Sequence, residues 1–80
     1  MRKGKVKVMR RTRIEETCRR YLTMAAKWVD TGWRSHHEAY QYVYHYLDGM
    51  AEGFLAAYDF EAYTIARYYA DIAGRKYFGC

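Results

Sequence analysis

Ile14, Cys18, Tyr21, Leu22, Ala25 and Val29 recur at spacings of four, three, one, three and four, which puts them on one helical face. Met24 and Trp28 widen that face, and Arg20, Thr23, Lys27 and Asp30 fall opposite. Thr12 and Glu15 have the Thr-x-x-Glu spacing of a capping box. Gly32 supplies a C-terminal stop, so a first helix is predicted over 13–31. Glu15–Arg19 and Glu16–Arg20 are acid-before-base pairs four apart, a stabilising arrangement on a helix surface.

Ser35 and Glu38 form a second capping box. The alternation of tyrosines from Tyr40 to Tyr46 has the strand period, but the Ala-rich segment that follows makes a poor return strand. Phase settles the choice. His36, Ala39, Tyr40, Val43, Leu47, Met50, Phe54 and Tyr58 keep one helical face across Gly49, while Glu38, Gln41, His45, Asp48 and Glu52 keep one polar face. A turn at Gly49 would give no reason for that continuity, so one helix is predicted over 36–57. Gly49 and Gly53 then lie in its interior, where each costs about 1 kcal/mol. Tyr42, Tyr46, Gly49 and Gly53 fall on one flanking stripe, which predicts a surface for close helix approach or for a partner.

Asp59 is placed to cap a third helix over 60–73, with Ala62, Ile65, Ala66, Tyr69, Ile72 and Ala73 inward and Gly74 as its end. The alternation Lys5-Val6-Lys7-Val8-Met9 has the strand period. It reads either as a short β-strand at 5–9, for which Arg75-Lys76-Tyr77-Phe78 is the available partner, or as a basic tail. The expectation is an all-α fold: a three-helix domain over 12–80 with an extended basic arm over 1–11.

Composition supports helices. There is no Pro, the residue that most disrupts helix interiors. Eighty residues make one domain with a small core, and ten Tyr, three Phe and two Trp supply large rings to reinforce it. Charge divides the chain. Residues 1–20 carry nine bases against two acids, +7, and residues 21–80 carry five against seven, −2. No apolar run follows the basic N-terminus as in a signal peptide, and none reaches the ~18 residues of a membrane span, so a cytoplasmic protein without membrane contact is expected. Cys18 reads as a buried hydrophobe and Cys80 as an exposed terminal thiol; two cysteines are too few for a disulfide framework.

Candidate chemistry is sparse. His37-Glu38-Ala39-Tyr40-Gln41 begins like His-Glu-x-x-His, but Gln41 replaces the second ligand. On a helix, His37 and His45 point roughly 80° apart. No metal or cofactor is expected. Neither a nucleophile elbow nor a phosphate-cradling glycine loop is present, so the chain is read as a non-enzyme. What stands out is the basic arm, Arg2, Lys3, Lys5, Lys7, Arg10, Arg11 and Arg13, and the Tyr42/Tyr46/Gly49/Gly53 face. Concentrated positive charge suits a polyanion or an acidic protein surface, and Tyr and Arg are enriched in binding hot spots.

Residues 5–9, the capped helix after them, and Gly32-Trp33-Arg34-Ser35-His36-His37-Glu38-Ala39 resemble a ribbon-helix-helix repressor over about residues 5–47. The resemblance implies dimerisation through the strand and DNA reading by Lys5, Lys7 and Met9. The leading expectation is a non-catalytic binding protein, monomeric or homodimeric, that docks on nucleic acid or on a nucleic-acid-processing complex. A phage or mobile-element inhibitor of the anti-CRISPR kind matches that size and lack of chemistry. The alternatives are the DNA-binding repressor and a self-associating structural protein.

Overall fold

The computed structural model describes the backbone of residues 2–79 and the side chains of residues 10–79. Three helices follow one another: α1 (Arg2–Asp30), α2 (His36–Ala56) and α3 (Phe60–Gly79). The all-α, three-helix architecture expected from the pattern is the one observed, and no strand occurs among the described residues. Cys80 lies outside them.

The N-terminus departs from expectation. α1 begins at Arg2 and runs through residues 5–9 and through Thr12. The strand at 5–9 is therefore not formed, and with it goes the element on which the ribbon-helix-helix resemblance rests. Residues 2–11 are helical within α1 rather than an extended arm, and residue 1 of the expected arm lies outside the described residues. A capping box needs an extended residue at its head, and Thr12 is helical. Five alternating residues are a weak strand signal, while Lys, Arg and Met are good helix formers with no Pro to stop them. At 1.5 Å per residue, α1 spans about 43 Å, close to the 47 Å long axis of the molecule.

α2 is one helix through Gly49 and starts at the Ser35–Glu38 box. The Glu38 N–H donates to Ser35 Oγ at 3.1 Å, and the Ser35 N–H donates to Glu38 Oε1 at 3.3 Å. It ends at Ala56 rather than 57. The two interhelical turns share one geometry. After α1, the Gly32 N–H donates to the Val29 carbonyl and the Trp33 N–H to the Trp28 carbonyl, a Schellman arrangement with Gly32 at φ 76°. After α2, the Tyr58 N–H donates to Leu55 and the Asp59 N–H to Phe54, with Tyr58 at φ 59°. The same left-handed position is thus filled by glycine in one turn and by tyrosine in the other. Tyr58, expected on the inner face, is 81% exposed.

α2 and α3 make the most extensive helix pair. Ala39, Val43, Leu47 and Ala51 of α2 are buried, as are Ala62, Ala66, Ala70, Ala73 and Gly74 of α3. Cys18 and Ala25 bring α1 into the core. Burial pushes the Cys18 thiol up to about 11, with the Glu15 charge adding to the shift. Gly74 does not end α3, which continues to Gly79. A Cβ at Gly74 would lie 3.0 Å from the Tyr44 ring, whereas Gly49 and Gly53 have nothing within 4 Å. The close-approach glycine is therefore on α3, and the one predicted on α2 is corrected: those two glycines face open space.

Three substitutions separate these roles in chemical denaturation. Gly49→Ala raises stability by about 1 kcal/mol through helix propensity alone. Gly74→Ala fails to deliver that gain because its methyl group presses on Tyr44. Tyr58→Gly raises stability by about 1 kcal/mol by relieving the left-handed backbone.

Candidate nucleic-acid interface

The basic part of α1 meets the rest of the molecule at the α2–α3 turn. Asp59 ends one helix and starts the next. Its N–H closes the Schellman turn onto Phe54, and its Oδ1 accepts the Ala62 N–H at 3.2 Å as the cap of α3. Its Oδ2 pairs with Arg10. Beside this pair, Arg11 Nε lies 3.5 Å from Glu61 Oε1. Arg10 and Arg11, read as partner-binding charges, have carboxylate partners within the chain, at acids 49 and 50 positions later in the sequence. Arg13 is exposed. Arg2, Lys3, Lys5 and Lys7 lie on the helix N-terminal to this junction, and their side chains fall outside the described ones.

Further along, α1 turns from charge to aromatic contact. Tyr21 stacks on Tyr46 with ring centroids 4.0 Å apart. Trp28 meets the edge of Tyr42 at 5.4 Å and of Trp33 at 5.3 Å. The Gly32 turn explains the second contact, since a Schellman turn brings the residue after its glycine back onto the last helical turn. Arg34 follows at once, its guanidinium 4.8 Å from the Trp33 ring and 5.6 Å from that of Trp28. Tyr42 and Tyr46 are thus held by α1 on one side while remaining 52% and 42% exposed on the other.

Three open depressions adjoin one another across the surfaces of α1, α2 and the turn between them, and are together called the α1–α2 groove. Arg10, Arg13, Ile14, Thr17, Met50 and Phe54 line the first, of about 480 Å³. Thr17, Arg20, Tyr21 and Met24 line the next, of about 230 Å³. Arg34, Glu38, Gln41, Tyr42, His45 and Tyr46 line the last, of about 530 Å³. Thr17 is common to the first two, and the Tyr21–Tyr46 stack joins the second to the third. Arg20 and Arg34 were missed as site residues. Arg13, Arg20 and Lys27 recur every seventh position, a spacing that returns to the same helical face and was legible in the sequence. Arg34 had no such signal, because the turn positions it.

The histidines go elsewhere. His36 Nε2 lies 3.0 Å from the Lys76 carbonyl oxygen, and His37 and His45 contact the Tyr77 ring. No three His, Cys, Asp or Glu side chains gather as a metal set among the described residues, and no helix among them is long and apolar enough to cross a membrane.

The chain matches no protein-family model, no curated protein and no solved structure.

The Arg10 hydrogen bond holds the Asp59 carboxyl below the usual carboxylate range, and the Ala62 N–H adds to it. A depressed acid contributes stability above its unfolded pKa of about 4, and that stability is lost as pH falls through the folded value. In denaturation at neutral and acid pH, Asp59→Asn keeps the cap but removes this acid-side loss. Asp59→Ala removes both cap and charge and is less stable than Asp59→Asn at neutral pH.

Proposed function

We propose that this protein is a non-catalytic binding module that docks on nucleic acid, free or within a nucleoprotein complex, through the basic N-terminal part of α1. The observation that carries the reading is charge on a continuous helix: seven bases and no acid in residues 1–13, on a helix that starts at Arg2. Arg10 and Arg11 have carboxylate partners on α3. Arg2, Lys3, Lys5, Lys7 and Arg13 are the five charges assigned to phosphate. Residues 2–9 occupy about 12 Å of helix axis, and duplex DNA presents one negative charge per ~1.7 Å. Four bases over that length therefore face an excess of phosphates, and each contact releases condensed counterions.

The test is the affinity for random duplex DNA as a function of salt. Five phosphate contacts give a log–log slope of about −4.5. Replacing Arg2, Lys3, Lys5 and Lys7 together with Ala brings the slope to about −1 while the helical circular dichroism persists. Absence of any shift at about 50 mM salt overturns the reading. It would leave an acidic protein surface as the partner, as for an inhibitor of the anti-CRISPR kind.

A further inference from the structure

We propose that the α1–α2 groove binds single-stranded nucleic acid, with bases stacked on Tyr42 and Tyr46 and the backbone followed by Arg13, Arg20 and Arg34. This rests on the nucleic-acid reading above and extends it by assigning a second surface and a strand state.

Four observations converge on the groove. The first is charge. Besides Arg10, which is paired with Asp59, its lining includes Arg13, Arg20 and Arg34 against one acid, Glu38, whose Oε1 already accepts from the Ser35 N–H and hydroxyl. The second is the set of ring faces. Tyr46 is fixed from one side by Tyr21 and Tyr42 by Trp28, so each presents an exposed surface whose position is set in advance. Such rings are the stacking platforms of single-strand binders, and an arginine stacked beside them adds a cation. Arg34 on Trp33 is in that position.

The third is the pair Gly49 and Gly53. Both lie in the interior of α2, where glycine is unfavourable, and neither serves helix packing. They fall on the Tyr42/Tyr46 stripe, and leave the α2 surface next to Tyr46 without side chains. The fourth is length. From Arg10 to Met24 the α1 side of the groove runs about 21 Å, room for a short stretch at the lower end of the roughly 4–16 nucleotides bound by single-strand modules.

The strand state follows from the chemistry. In a duplex the faces of the bases are covered by their neighbours, and only an unpaired strand can offer them to Tyr42 and Tyr46. A second copy of the chain fits less well, because a two-fold interface sets the same patch against itself and this patch offers its arginines a single acid, Glu38.

The test uses fluorescence anisotropy with a labelled thymidylate of about 12 nucleotides and a duplex of equal length. The wild-type chain should bind the single strand about tenfold more tightly than the duplex. Gly49→Ala and Gly49→Glu both favour the helix, and their Cβ meets nothing. Alanine should leave single-strand affinity unchanged, and glutamate should lower it about tenfold by placing an anion one helical turn from Tyr46. Tyr42→Ala should weaken it by a similar factor. Equal affinities for Gly49→Ala and Gly49→Glu, or a duplex bound more tightly than the strand, overturn the groove assignment while leaving the basic helix as the duplex contact. Binding to neither oligomer overturns both. A dimer in sedimentation that Gly49→Glu dissolves, with no oligomer binding, assigns the groove to a second copy and overturns the proposal.

Discussion

Ala62, Ala66, Ala70 and Gly74 stand at every fourth position of α3, and all four are buried. Side chains this small let a neighbouring backbone come close, and at Gly74 the Tyr44 ring occupies the space a methyl group would need. The narrow α2–α3 gap governs the rest of the molecule. Its largest fully buried side chains are Leu47, Val43 and Cys18. Among the rings, Tyr40 and Tyr69 reach the core; most of the others lie at its rim or beyond. Trp33, Tyr42, Tyr46, Tyr58, Phe60, Tyr68 and Phe78 are all exposed. The abundance of aromatics therefore does not translate into a large core, because a core lined with alanine has no volume for them.

The position of α1 follows. It makes less extensive contact with the α2–α3 pair and is held at two levels by different physics. Near one end, Arg10 and Arg11 reach the acids at the start of α3, where negative charge also complements the helix dipole. Near the other, Tyr21 and Trp28 pack on Tyr46 and Tyr42. Between those levels the groove stays shallow and open, and the rings that hold α1 show their remaining surface along it. The contacts that attach this helix thus also create the basic and aromatic surface beside it.

Local signals were legible wherever a residue acts on its own backbone. Ser35 with Glu38, Gly32 and Asp59 each took the role their spacing indicates, and the unbroken phase across Gly49 marked α2 as one helix. Thr12 with Glu15 has the same spacing as Ser35 with Glu38 and does not cap. The difference is what precedes them: a turn before Ser35, and helix-forming residues before Thr12. Tyr58 is the reverse case, a left-handed position with no glycine to announce it.

Pattern and charge alone determined the helical class, the two turns and the concentration of bases at the N-terminus, because helix periodicity, capping and formal charge are properties of neighbours in the chain. Tertiary structure decided which glycine lies against another helix, which arginines have carboxylate partners, and which tyrosines show a face to solvent. Each of those depends on a group about fourteen to fifty positions away. The spacing of Gly49 and Gly53 is as regular as that of Gly74, and only the approach of α2 to α3 distinguishes a glycine that makes room for a ring from two that face open space.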